Sequence, residues 1–266
     1  MNNLLAIEWL KIKKYRTFWV LMGLFLVLLP LWNYGVASGM IHIGDRRKNG
    51  INLLSTEYAF PDVWASMGFW GSIFINFIAI LIIIITTNEF EFRTNRQNII
   101  DGRTRTEFLN GKVLLVITFS LVATICLFIV GAIFGRIYSG SFTDLFIEFR
   151  QVIYFFILSL DYIFFALLLA LLLRRSGLAI GMFLLYSWII ENFLRYAINS
   201  HASKPYGDLL MLQSSDELLP FPLPKIARAM MESSSPISMT VYASVALAWC
   251  AVYYFICRTV LLRKDW

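Results

Sequence analysis

The stretch NEFEFRTNRQNIIDGRTRTEFLNGK, residues 88–112, is the longest run of dense charge in a chain that otherwise avoids charge, and it lies between two long apolar runs. Two carboxylates, Glu89 and Glu91, end the first apolar run. A Thr94-Asn95-Arg96-Gln97 step follows, then a turn at Asp101-Gly102 and a basic restart through Arg105 to Lys112. This order predicts an apolar helix that leaves a bilayer at Asn88, continues for one or two polar turns, breaks at Gly102 and restarts as a short amphipathic helix. Thr104 or Thr106 can cap the restart, and Phe108 and Leu109 give it an apolar side, so the loop is expected to be ordered. The plainer alternative is a solvated loop whose charge only obeys membrane topology rules.

The composition supports the bilayer. Of 266 residues, 59% are hydrophobic and 15% charged, with a mean hydropathy of +0.69, far more apolar than a soluble domain. A span needs roughly 20 apolar residues to cross about 30 Å of hydrocarbon. Six stretches qualify: 18–40, 64–87, 113–135, 151–173, 176–194 and 236 or 237 to 257. They leave no room for a separate soluble domain, so the expected fold is an all-α integral membrane protein with one transmembrane domain, 1–266.

Residues 1–17 carry Lys11, Lys13, Lys14 and Arg16, with Leu5, Trp9 and Ile12 spaced as a narrow apolar stripe, which suits a helix lying at the membrane interface. The apolar run that follows exceeds the roughly 7 to 15 residues of a signal-peptide core, so it is read as the first span. With the N-terminus inside, the inner segments hold 14 Lys and Arg in 53 residues, against 9 in 80 outside. That asymmetry predicts cytoplasmic termini, Ser55 and Ser214 on the outer side, and Thr106 on the inner side. The net charge of +6 is dispersed among the loops, which argues against nucleic acid as a partner.

Polar groups inside spans are few. Asp161 lies near the centre of the fourth span, where a carboxylate costs on the order of 3 kcal/mol unless it is paired, protonated or facing water. Asn76 of the second span, or a polar group across a dimer, could be its partner. Glu191 and Arg195 stand one turn apart near the outer end of the fifth span, in the favourable order for an ion pair along one helix. Gly35 with Gly39, Gly131 with Gly135, and Gly177 with Gly181 have the spacing that lets helices approach closely, a spacing that also arises by chance in membrane helices. The outer segment 195–236 holds Pro220, Pro222 and Pro224, which preclude a regular helix there, while residues around Ile226 and Met230 could form a short one. It is apolar enough to be expected to dip into the outer leaflet or pack over the bundle.

Cys126, Cys250 and Cys257 fall inside spans and are expected to be packing groups, and the two histidines, His42 and His201, lie far apart, so a metal site has little support. No Walker phosphate loop is present. At Asn110-Gly111-Lys112 the motif fails, because Val113 replaces the magnesium-binding Ser or Thr and Thr106 stands where the first Gly should be.

The charged stretch resembles the cytoplasmic loop between the second and third spans of ABC-2 type transporter permeases. The matching residues are Glu89, Glu91, Thr94, Arg96, Gln97, Arg105, Phe108 and Lys112, while Arg93 and Thr104 depart from the Gly and the Pro or Ser usual in that family. With the six-span layout, the resemblance covers nearly the whole chain. It implies a membrane-spanning exporter subunit in the cell membrane, working as a dimer with a second permease subunit. Separate cytosolic ABC ATPase subunits would bind ATP and magnesium, with no cofactor in this chain. It also implies a coupling helix in 88–112; the loop's mixed charges with Phe108 and Leu109 suit a groove polar at its rim and apolar at its centre, with Phe108 the expected anchor in the ATPase. Gly35, Gly39, Gly177 and Gly181 would lie at the dimer contact, and short re-entrant helices would precede the last span. Two other classes stand beside it: an ion-coupled secondary transporter with Asp161 as proton carrier, and an intramembrane enzyme using Asp161 or the Glu191 and Arg195 pair.

Overall fold

A computed structural model describes residues 2–41, 58–92, 104–201, 204–222 and 237–263. All the regular elements among them are helices, and six are long and apolar enough to cross a membrane, so the chain is a multi-pass membrane protein. A short helix α1 (Asn2–Ile12) precedes the spans α2 (Arg16–Ala37), α3 (Val63–Glu91), α4 (Arg105–Ser139) and α5 (Arg150–Leu173). The fifth span, α6, runs over 176–201 with a π-helical turn at Tyr186–Ile190. A 3-10 turn (Tyr206–Leu209) and a one-turn helix α7 (Gln213–Asp216) lead towards the last span, α8 (Met239–Arg263).

The centre of the bundle is α5 against α3, with α8 and α4 closing on α5 and α2 on α3. Their near-continuous apolar sequence follows from this position, since a helix surrounded by others has no polar face. Small residues set the approach. At Gly71 a Cβ would lie 2.8 Å from both Leu127 and Phe155, and at Gly131 it would lie 2.7 Å from Trp64. The Gly131 and Gly135 pair therefore receives aromatic rings of this same chain, Trp64 and Phe60. By contrast α4 turns Leu121, Ile125, Ile129 and Ile133 outward, as expected of a lipid-facing side.

Several expectations need correction. The restart at Arg105 is not a separate short helix. It continues unbroken for 35 residues, about 52 Å, far more than a bilayer core requires. Its start is fixed by a capping box, in which Thr104 Oγ1 accepts from the Glu107 N–H and the Glu107 carboxylate accepts from the Thr104 N–H. Among the described side chains of α1, Glu8 and Ile12 are buried while Trp9 is exposed, so the helix docks on the bundle through an acid as well as an apolar residue. Gly39 lies past the end of α2 at φ 71°, so it does not share a helix face with Gly35. Gly177 and Gly181, expected at a dimer contact, meet nothing of this chain within 4 Å and lie on an open face of α6, which is compatible with that expectation. Ser214 is fully buried.

The end of the bundle carrying α1 is called the near end, and the end carrying α7 the far end. Since Ser214 is enclosed, Ser141, exposed at the far end after α4, is the better reporter of topology. The charge asymmetry predicts that Ser141→Cys reacts with an impermeant thiol reagent from outside intact cells and that Thr106→Cys does not. Labelling of position 106 from outside would reverse the orientation.

Candidate functional site

Polar chemistry gathers at both ends of the bundle. At the near end, Lys112 of α4 has no exposed surface, and its ammonium donates to Glu8 Oε2 at 2.6 Å and to Glu89 Oε1 at 2.8 Å. Lys11 reaches the same two carboxylates, at 3.3 Å and 3.2 Å. Two acids and two amines thus form a charge-balanced cluster joining α1, α3 and α4. Burial alone would raise the Glu8 carboxyl, but Lys112 and Lys11 hold it below the ordinary glutamate range. Asn88 donates to the Tyr15 hydroxyl beside it. Arg105 donates to the carbonyls of Leu261 and Leu262, both at 3.1 Å, which satisfies the end of α8.

These contacts revise the expected coupling residues. Glu89 holds Lys112 and Lys11. Phe108 and Leu109 are 3% and 1% exposed and pack into the core, with Phe108 edge-on to Phe90, so neither is free to enter a partner's groove. Glu91 is exposed. Thr94, Arg96 and Gln97 lie outside the described residues. Phe92, just past α3, is 70% exposed and adjoins an apolar cleft of about 260 Å³ between α1 and α3 that includes Ile12 and Ile85. A large aromatic at this place was visible in the sequence, but nothing in its spacing distinguishes it from the half-buried Phe90 and the buried Phe108.

At the far end, Glu191 and Arg195 do not pair with each other. Glu191, 1% exposed at the end of the π turn, accepts from the backbone N–H groups of Leu212 (2.6 Å) and Gln213 (3.1 Å) and so caps α7. Arg195 instead donates to Asp208 at 2.8 Å and to Glu217. A buried carboxylate is better satisfied by two amides fixed in place than by one flexible guanidinium, and the guanidinium gains two acids. Asn199 adds a bond to Asp208 at 2.9 Å, and its side-chain oxygen accepts from the Gly207 N–H at 2.7 Å. The outer segment is thereby clamped onto α6, with Leu212, Leu218 and Leu219 buried beneath it. The helix expected around Ile226 lies outside the described residues.

Between α3, α5, α6 and this segment is an open cavity of about 400 Å³. Its polar lining includes Asn76, Tyr162, Arg195, Gln213, Asp216 and Glu217. The Tyr162 hydroxyl donates to Asp216, with oxygens at 2.8 Å and 3.0 Å. Burial pushes the Asp216 carboxyl up to about 7, and burial also raises Glu217. Asp161 is not part of the lining. It is fully enclosed, and the Cys250 thiol of α8 lies 3.9 Å from its Oδ1. Asn76 is not its partner, since the Asn76 amide donates to the Ile73 carbonyl at 2.8 Å. Cys257 is buried and Cys126 and Cys250 half-buried, all three as free thiols. Among the described residues no group of three or more His, Cys, Asp or Glu is placed to hold a metal ion. Compared with known proteins, the sequence matches no family model and no curated protein.

Removing Lys112 would leave two buried carboxylates facing each other beside Lys11. Lys112→Ala is expected to cost about 3 to 5 kcal/mol, read as a large drop in the thermal unfolding midpoint of the purified protein. The triple variant Lys112→Met, Glu8→Gln, Glu89→Gln should recover most of it. A Lys112→Ala midpoint equal to wild type would remove the structural role of the cluster.

Asp216 gives a pH dependence of the opposite kind to an ion-paired acid. Its folded form favours the proton, so the stability it contributes is fully present below the ordinary value of 3.8 and lost progressively as pH rises through about 7. Asp216→Asn, which is neutral throughout, should raise the unfolding midpoint more at about pH 8 than at about pH 5. An equal effect at both would refute the assignment.

Proposed function

We propose that the chain is the membrane-spanning subunit of an ATP-driven ABC exporter, working as a dimer in the cell membrane with separate cytosolic ATPase subunits, its near end facing the cytoplasm. The observation that carries this reading is the bracket at the near end. The chain leaves α3 after Phe92 and enters α4 at Thr104, and the Glu89 and Lys112 pair pins those two helices together, with α1 held to both through Glu8. A force applied to the stretch between them acts on α1, α3 and α4 together. These 266 residues carry no phosphate loop, so on this reading the energy for such a force comes from outside them. The resemblance of residues 88–112 to ABC-2 permeases supplies the class of that partner.

The enzyme reading's alternative pair, Glu191 and Arg195, is not formed, and both rival readings otherwise place chemistry on Asp161. That carboxylate is sealed between α5 and α8 and does not line the far-end cavity, which favours a packing role over proton or substrate traffic.

On this reading Phe92 takes the anchoring role that burial denies to Phe108. Exposed charge pairs would add only about 0 to 1 kcal/mol each at such an interface, so an apolar anchor matters more. Phe92→Ala is expected to weaken co-purification of a Walker-motif ATPase from the native membrane, or to uncouple its hydrolysis from export, at an unchanged amount of permease. Phe108→Ala should instead lower the amount of folded permease. Normal ATPase association and export in Phe92→Ala would remove that side chain from the coupling surface.

A further inference from the structure

The far-end cavity has an excess of hydrogen-bond acceptors and of negative charge. Several of its donors are committed within the chain: the Tyr162 hydroxyl to Asp216, the Arg195 guanidinium to Asp208 and Glu217, the Gln213 amide to Glu217, and the Asn76 amide nitrogen to the Ile73 carbonyl. Acceptor capacity is left over. Asn76 is 8% exposed, lines the cavity, and its side-chain oxygen has no partner among the described residues. The Asp216 carboxylate accepts from the Tyr162 hydroxyl on the same wall. Facing Asp216 are Tyr162 from α5, Glu191 and Arg195 from α6, and its neighbour Glu217, so one cation meets several acids. Phe69, Trp188 and Phe221 supply aromatic surface to the same space.

We propose that this cavity is a binding site for a primary ammonium group, carried by a small amine or by a larger amine-bearing ligand. An ammonium brings three donors and one positive charge and no acceptor, which is what a wall of unmet acceptors and surplus carboxylate lacks. Aromatic rings favour the same ion through their negative faces. An anionic ligand would meet uncompensated acids. A neutral apolar one would leave the Asn76 oxygen buried without a donor, at a cost of about 1 to 3 kcal/mol. The volume, about 400 Å³, is at the scale of small-ligand sites. Because the Asp216 carboxyl sits near 7, protons compete with the amine, and affinity rises as pH rises through that value.

The inference names a ligand class for the exporter reading but does not depend on it, because binding is read on this chain alone. The probe is radiolabelled 1,5-diaminopentane in equilibrium dialysis against the full chain in nanodiscs of uncharged lipid, with 1,5-pentanediol as the neutral counterpart. Saturable binding of the diamine is expected, tighter at about pH 8 than at about pH 6, without competition by the diol. Asp216→Asn and Glu217→Gln should each weaken it about tenfold or more, as loss of a charged hydrogen-bond partner does, and Asn76→Leu should weaken it too. Helix content by circular dichroism and elution volume confirm that each variant is folded. No saturable binding above empty nanodiscs, equal competition by the diol, or unchanged affinity in folded Asp216→Asn and Glu217→Gln overturns the proposal. Diamine binding in a chain that associates with no ATPase would leave the site standing and remove the exporter reading.

Discussion

Lys112 has no exposed surface, so its charge is tolerable only while Glu8 and Glu89 stay within hydrogen-bond distance of it. Taking an ammonium and two carboxylates out of water costs several kcal/mol per ion, and their mutual attraction offsets this only in a tight, fixed geometry. The consequence is positional. α1 has one acid that must reach the bundle, and that single requirement turns Glu8 and Ile12 inward while Lys11 closes the cluster from its edge. An apolar contact would let α1 slide along the bundle, whereas a buried ion cluster gives it one seat.

The far end is organised on a different principle. There the acids outnumber the bases around the cavity, and Arg195 is the base that divides itself between Asp208 and Glu217. Glu191 is satisfied without any cation, by the backbone amides that open α7. The π turn just before it shifts the helix phase by one residue, which places Glu191 inward and leaves Phe193 and Tyr196 outward on the next turns. Balanced charge at one end makes a joint, and unbalanced charge at the other makes a surface with unmet demand.

The six spans were legible in the sequence because hydrophobic length is the dominant constraint a bilayer imposes. Their ends were less so. The apolar pattern of α4 begins at Val113, yet the helix begins at Arg105, because Thr104 and Glu107 cap it and Lys112 is neutralised by acids more than twenty residues away in sequence. Thr104 as a cap could be read from spacing. Lys112 looked like any loop lysine, since burial is a property of the assembled bundle. The Glu191 and Arg195 spacing suggested a local pair, and the local pair lost to tertiary partners, as it does when a backbone terminus offers a buried acid two donors. Phe108 failed for the same reason: an aromatic in a charged stretch reads as an exposed anchor until the neighbouring helix covers it.

The two ends share a helix. Asn76 at the cavity and Glu89 in the ion cluster are thirteen residues apart on α3, about 20 Å at the rise of an α-helix. That interval is apolar and almost wholly buried, with Ile78, Leu81, Ile82 and Ile83 fully enclosed, so it can shift as a rigid body but not bend at low cost. α3 also packs most closely on α5, which carries Tyr162, and Tyr162 holds Asp216. A displacement of Glu89 would therefore arrive at the far end as a relative movement of Asn76 against the Tyr162 and Asp216 wall, the two sides between which the unmet acceptors lie. On the exporter reading, that is the geometry in which work done at the near end changes the grip of the cavity on a bound cation.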